Sequence, residues 1–244
     1  MAKLKIALAQ LNTLVGDVPG NAKQVAAAIE TARDSYGADL IVFQELALCG
    51  YPPEDLLLHQ GLRYQLDDAF KLICKSATGI TALVGYPEYA EEGLYNAAAV
   101  LFDAKLQASY RKWLLPNYSV FDEQRYFKSG EDPLVINING TSLGVLVCED
   151  VWTSAAAAAS VAAGAEACVV LNGSPYEGRK QAQREAVLAE RANEFSVPFV
   201  YQNIVGGQDE LVFDGGSFAV NSDGSVGMRA PSFEAGIYLS LIHI

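Results

Sequence analysis

Apolar runs of strand length that alternate with helix-spaced segments constrain this chain more than any other feature. LKIALAQLN (Leu4 to Asn12) reads as a strand, and residues 21–38 carry helical spacing that ends near Gly37. ADLIVFQELAL (38–48) reads as a buried strand with Gln44 and Glu45 at its end, and residues 62–78 as a second helix. ITALVGYPEYA (80–90) is a third strand. Residues 94–113 read as two strands about a turn near Asp103–Ala104, running into Arg111 and Lys112. PLVINING and TSLGVLVCED read as a hairpin pivoting on Asn139–Gly140, a strong turn signal. A helix follows at about Ala155 to Ala163, then the strand ACVVLNGSP (167–175), then a long polar helix from about Arg179 to Phe195. Strands at 198–207 and 215–228 complete the pattern. Helices and hairpins both connect the strands, which implies an α/β domain with mixed sheets and helices outside. No repeat or long linker divides the chain, so a single domain over residues 1–244 is expected.

Composition narrows the function classes. The chain has 244 residues, 51% of them hydrophobic, enough for a large core, but no apolar run nears the roughly 20 residues that span a bilayer. The amino terminus lacks the apolar segment and small-residue cleavage site of a signal peptide, so a cytoplasmic location is expected. A net charge of −12 argues against nucleic acid or an anionic membrane as the main partner. Cys49, Cys74, Cys148 and Cys168 form no C-x-x-C pair, and only two histidines, His59 and His243, are available. Neither a disulfide framework nor a metal site is expected.

The stretch LGVLVCEDVW (Leu143 to Trp152) poses the chemical question. A buried run reaches a thiol, and Glu149 and Asp150 follow at once. Neighbouring negative charge makes a thiolate harder to form. Two readings stay open. Cys148 is an inert core residue, as free cysteines usually are. Alternatively, strand ends gather Glu45, Lys112 and Cys148 in one crevice, as open α/β sheets do. There Lys112 would offset the acids and stabilise an oxyanion, and Glu45 would accept the thiol proton. Position alone also permits Glu45 as a turn cap and Lys112 as a surface cation.

Five segments, in order, carry a resemblance. FQELALCGYPPEDLLL, RKWLLPNYSVFDEQRYF, GVLVCEDVW, LNGSPYEGRK and YQNIVGGQDELVFDGGSF resemble signatures of the nitrilase superfamily of carbon–nitrogen hydrolases. Their flanks are similar to one branch, the glutaminase domains of glutamine-dependent NAD synthetases. The match runs from about Lys5 to about Ser225. The resemblance implies an α-β-β-α sandwich. It makes Glu45 the general base, Lys112 the oxyanion-stabilising cation and Cys148 the nucleophile. Glu123 takes the place of the family's second glutamate, holding Lys112; its alternative is a loop carboxylate paired with Arg125.

For L-glutamine as substrate, Glu149 would pair with the α-ammonium and Tyr118 and Phe121 would wall the slot. Ser174, with Arg179 or Lys180, would take the α-carboxylate. Ordinary packing and surface charge are the alternatives for these residues, and Trp152 reads as core. GGQDELVFDGGS (206–217) offers no phosphate loop, because no helix start with a lysine follows it. Asp209 and Glu210 are expected in contacts rather than chemistry.

The resemblance further implies a homo-oligomer and a partner synthetase domain, absent here, that would use ATP, magnesium and deamido-NAD; no cofactor is expected on this chain. The ending AGIYLSLIHI matches no family segment. A foreign or truncated tail over about 238–244 and a final strand both remain open.

Overall fold

The computed structural model describes residues 3–243. The first strand, β1 (Lys3–Gln10), shows the period of two that sets the whole architecture. Its Leu4, Ile6 and Leu8 enter one apolar core, while Ala7 and Ala9 enter another. A strand buried on both faces must lie between two layers.

Helix α1 (Val18–Asp34) supplies one of those layers. Asp17 caps it by accepting from the Gly20 N–H, and Pro19 suits the first turn, where no backbone donor is needed. Val18, Ala22, Val25, Ile29 and Ala32 form its buried stripe, packed with Ala7 and Ala9. The buried run after it keeps only β2 (Leu40–Val42) in the ladder. From Phe43 the chain leaves the sheet and turns, although every residue through Tyr51 is buried. A continuous apolar run does not reveal where pairing stops, so the longer strand read from 38–48 is corrected to three residues. Helix α2 (Gln60–Ser76) lies beside α1. Strands β3 (Thr81–Tyr89), β4 (Leu94–Phe102) and β5 (Lys105–Arg111) then form a meander. Asp103 and Ala104 turn the second hairpin at φ 46° and 60°.

The second half builds a matching pair of layers. β6 (Leu134–Ile138) and β7 (Thr141–Val147) are joined through Asn139 and Gly140 at φ 52° and 87°, the hairpin expected from that dipeptide. Helix α3 (Ala155–Ala162), β8 (Ala167–Asn172), α4 (Lys180–Phe195) and β9 (Phe199–Asn203) follow. The segment read as one strand at 198–207 breaks at Ile204, and β10 (Val205–Gln208) pairs instead with β11 (Leu211–Asp214). The glycine- and acid-rich stretch is thus a small hairpin with Asp209 and Glu210 exposed at its tip. β12 (Phe218–Val220) and β13 (Val226–Arg229) come next. β14 (Gly236–His243) runs antiparallel to β1, with Gly236 opposite Gln10 and His243 opposite Lys3. Of the final SLIHI, Ile244 lies outside the described residues.

The result is two six-stranded sheets, β14-β1-β2-β3-β4-β5 and β13-β12-β9-β8-β7-β6. One core fills the space between them, where Ile6, Leu8, Val42 and Leu83 join Val145, Val147 and Val169. Helices α1 and α2 cover the outer face of the first sheet, and α3 and α4 pack with the second. This is the α-β-β-α sandwich expected. No helix among the described residues is long and apolar enough to cross a membrane.

Candidate active site

Glu45, Lys112 and Cys148 each lie just past a strand. Glu45 is on the turn after β2, Lys112 directly follows β5, and Cys148 directly follows β7. The first two strands belong to one sheet and the third to the other, so the residues meet where the sandwich halves face each other. The Glu45 turn is pressed against β3 so tightly that a Cβ on Gly85 would stand 2.3 Å from the Gln44 carbonyl oxygen. Only glycine permits that approach.

The Lys112 ammonium is fully buried between two carboxylates. Its Nζ lies 2.7 Å from Glu45 Oε1 and 2.9 Å from each oxygen of Glu123. Glu123 therefore pairs with Lys112, while Arg125 pairs with Asp55 at 3.1 Å. The Asn96 amide ties the carboxylates together, donating to Glu45 Oε1 at 2.7 Å and to Glu123 Oε2 at 3.4 Å. The Gly173 N–H gives Glu45 Oε2 a partner at 2.9 Å. Tyr51 donates its hydroxyl to Glu123 at 3.4 Å. Burial pushes the Glu123 carboxyl up to about 7 against the opposing pull of Lys112. The two carboxylates hold the Lys112 ammonium well above its ordinary range, outweighing its own burial.

Cys148 opens a short 3₁₀ turn (Cys148–Val151) at φ 46°, in the left-handed region that costs a side-chain-bearing residue about 1–2 kcal/mol. Its thiol is raised well above the usual cysteine range, first by burial and then by Glu45; Lys112 acts the other way. Lys112 does favour negative charge at the sulfur, as expected, but burial and then Glu45 outweigh it, so the thiol is held protonated.

The other expected contacts divide. Tyr118 donates to both oxygens of Glu149 at 3.0 Å and meets the Phe121 ring edge-on at 5.7 Å between centroids, so these three residues form one group. Ser174 is buried, but its Oγ already accepts from Arg184 Nε at 3.1 Å. Arg184 pairs with Asp214 at 2.8 Å and caps the Ser174 and Pro175 carbonyls, so this buried arginine is committed to the fold. Arg179 is exposed just before α4 and makes no hydrogen bond to the cluster. Lys180 sits with its Nζ 4.5 Å from the Trp152 ring centre, beside the Cys148 turn.

Asn96, Tyr51 and Gly173 were not singled out from sequence, and Asp150 was noted only as an acid beside the thiol. Asn96 lies inside an alanine-rich strand, where the one polar residue in LYNAAAVL was the available signal. A cavity of about 130 Å³ borders Glu123, walled by Leu46, Tyr51, Phe121 and Phe127. Cys148 does not line it. Among the described residues no group of three or more His, Cys, Asp or Glu side chains could hold a metal ion.

A buried acid–lysine–acid cluster beside a strained thiol can add sulfur to a carbonyl carbon while moving one proton. The comparisons with known proteins bear on the family. The Carbon-nitrogen hydrolase family profile matches residues 5–243. A glutamine-dependent NAD(+) synthetase of Xylella fastidiosa (strain Temecula1) is 49% identical over 94% of this chain and 43% of its own length. A solved glutamine-dependent NAD+ synthetase from Acinetobacter baumannii, in complex with ADP, superposes with a TM-score of 0.96 at 37% identity, over 99% of this chain and 46% of that one. A mutant amidase from Nesterenkonia sp. AN1 superposes with a TM-score of 0.88 at 27% identity, over 98% of this chain and 90% of that one. In it, the acetamide moiety of fluoroacetamide is covalently added at the active site cysteine. The chain thus spans less than half the length of the synthetases it matches.

Proposed function

We propose that this chain, which belongs to the carbon–nitrogen hydrolase family, releases ammonia from L-glutamine through a thioester on Cys148. The observation that carries the reading is the burial of Lys112 between Glu45 and Glu123 next to that thiol. The relatives named glutamine-dependent NAD synthetases support glutamine as the substrate.

Because the thiol rests neutral, Glu45 takes its proton as the sulfur attacks the amide carbon. The C–S bond forms and the carbonyl pair moves onto oxygen. Lys112 stabilises that oxyanion in a site where burial strengthens the attraction. Glu45 returns the proton to nitrogen, the C–N bond breaks and ammonia leaves a glutamyl thioester. A water molecule, deprotonated by the same Glu45, then attacks the thioester; the C–S bond breaks, Glu45 returns the proton to the Cys148 sulfur, and glutamate is freed. Glu123 keeps Lys112 protonated and aimed throughout. Glu149, held by Tyr118, receives the α-ammonium, and Phe121 walls the slot. Lys180 is the better candidate for the α-carboxylate, since it sits beside the Cys148 turn while Arg179 points into solvent and Ser174 Oγ serves Arg184. In a longer protein the ammonia would pass to a synthetase module that amidates deamido-NAD with ATP and magnesium.

The amidase likeness favours one second reading, a stand-alone hydrolase of small amides. Ammonia release from glutamine and from acetamide separates the two. Faster turnover of acetamide supports the amidase reading. Ammonia from neither, with correctly folded protein, removes both.

A further inference from the structure

Asp150 is fully buried, and all four of its hydrogen bonds run to the segments that carry the reacting groups. Its Oδ1 accepts the backbone N–H of Trp113 at 3.1 Å and of Leu114 at 2.9 Å. Its Oδ2 accepts the Tyr110 hydroxyl at 2.8 Å and the Val147 N–H at 3.0 Å. Tyr110, Trp113 and Leu114 bracket Lys112 in the chain. Val147 immediately precedes Cys148. One carboxylate therefore grips the end of β5 in the first sheet and the end of β7 in the second.

We propose that Asp150 is a positioning residue, which holds Cys148 and Lys112 in register across the two sheets and keeps the Cys148 turn in its strained conformation. The inference rests on the proposed thioester chemistry for its consequence, though the clamp itself does not depend on the substrate. The other cross-sheet bond at the site, from the Gly173 N–H to Glu45 Oε2, reaches the end of β8 and not the strand that carries Cys148. The backbone of Lys112 is fixed to Asn96 and Gly130, both on its own side of the molecule. Apolar packing between the sheets tolerates small slides that a four-fold hydrogen-bonded carboxylate does not. A misplacement of about 1 Å at a reacting centre can cost on the order of 10²-fold in rate.

Only a carboxylate fits. An asparagine at 150 offers one acceptor oxygen and one NH₂ group. In either orientation that NH₂ meets at least one backbone N–H, Val147 on one side or Trp113 and Leu114 on the other. The clamp is then broken on the nucleophile side or on the lysine side.

The test compares the wild-type chain with Asp150→Asn and Tyr110→Phe. The Phe variant removes one donor and leaves the three backbone bonds, so it carries the test if the Asn variant does not fold. Expected for Asp150→Asn is a fall in kcat of about 10- to 100-fold with KM changed less than about 3-fold, and for Tyr110→Phe a smaller fall of the same kind. Alkylation of Cys148 by iodoacetamide, followed by mass spectrometry, reads the same register without glutamine and should slow in both variants. Wild-type kcat and alkylation rate in a folded Asp150→Asn protein, or in Tyr110→Phe where the Asn variant does not fold, would overturn the inference. So would a kcat loss fully accounted for by the unfolded fraction. A wild-type chain that alkylates at Cys148 but releases no ammonia instead contradicts the proposed function, and the alkylation rates still decide the role of Asp150.

Discussion

The ammonium of Lys112 lies 2.7 Å from Glu45 Oε1, with both side chains fully buried. A pair this deep is costly to assemble and far more costly to break, because the surviving charge is left without water or partner. The first prediction follows. Lys112→Met leaves Glu45 and Glu123 facing each other across the Asn96 amide. Unfolding in denaturant should show a loss of about 3–5 kcal/mol near neutral pH. The loss should shrink in acid, because protonating the carboxylates removes their repulsion. Glu45→Gln keeps an acceptor for Lys112 and should cost less stability while still lowering turnover by orders of magnitude. Equal stability of Lys112→Met and wild type at neutral pH would contradict the buried pairing.

Cys148 supplies a second prediction, because its φ of 46° is independent of its sulfur. Cys148→Ala should abolish ammonia release while retaining the fold. Cys148→Gly should abolish it too, yet be as stable as the alanine variant or more so, by up to about 1 kcal/mol. Glycine adopts positive φ without strain, and that relief outweighs its extra chain entropy. Thermal unfolding of the two variants side by side decides the point. An alanine variant clearly more stable than the glycine one would mean that the turn relaxes once the sulfur is gone.

The mixed sheets with helices outside were legible because strand-length apolar runs such as β1 alternate with helix-spaced segments such as α1, while the α-β-β-α layering came from the family resemblance. The hairpin at Asn139–Gly140 was legible for its chemistry. The end of β2 was not, because Phe43 to Leu48 stay buried after pairing stops, and burial is what the apolar pattern records. Three of the four clustered polar groups could be named from strand ends and motif order. Asn96 and Asp150 could not, because their importance lies in which backbone and carboxylate atoms they reach across 51 and about 37 residues of chain. The carboxylate-binding side was read least well. The reading left Arg179 and Lys180 open beside Ser174, and it missed that the buried guanidinium there belongs to Arg184 and is spent on Asp214 and two carbonyls.

Tyr118 and Glu149 give a third prediction. Both Glu149 oxygens accept from the Tyr118 hydroxyl, which fixes a flexible acid at the rim of the site. Tyr118→Phe keeps the ring contact with Phe121 but frees Glu149. KM for glutamine should rise by roughly 3- to 10-fold with kcat little changed, the signature of a contact equal in ground and transition states. Glu149→Ala should raise KM further. The double variant should match Glu149→Ala alone, since the tyrosine acts through the acid. Additive losses would show that Tyr118 touches substrate independently.

The last prediction concerns pH. Burial raises the Glu123 carboxyl from 4.5 to about 7, with Lys112 resisting the shift. A carboxyl whose folded pKa exceeds its unfolded value binds more protons in the folded state, so its contribution to stability falls as pH rises. The window runs from about 4.5 upward to about 7, and the penalty is complete above it. Glu123→Gln removes this titration. Relative to the variant, the wild-type chain should therefore lose stability steadily across that window and then level off. Turnover should respond in the opposite sense. Ionised Glu123 is what pairs with Lys112 and aims it at the oxyanion, so wild-type kcat should climb through pH 7 and the Gln variant should lack that limb. Paired denaturation curves and rate profiles between pH 4.5 and 8.5 read both effects on the same two proteins. A stability difference that does not change across the window would mean that the pull of Lys112 outweighs burial and keeps Glu123 ionised throughout, and the raised carboxyl would have to be given up.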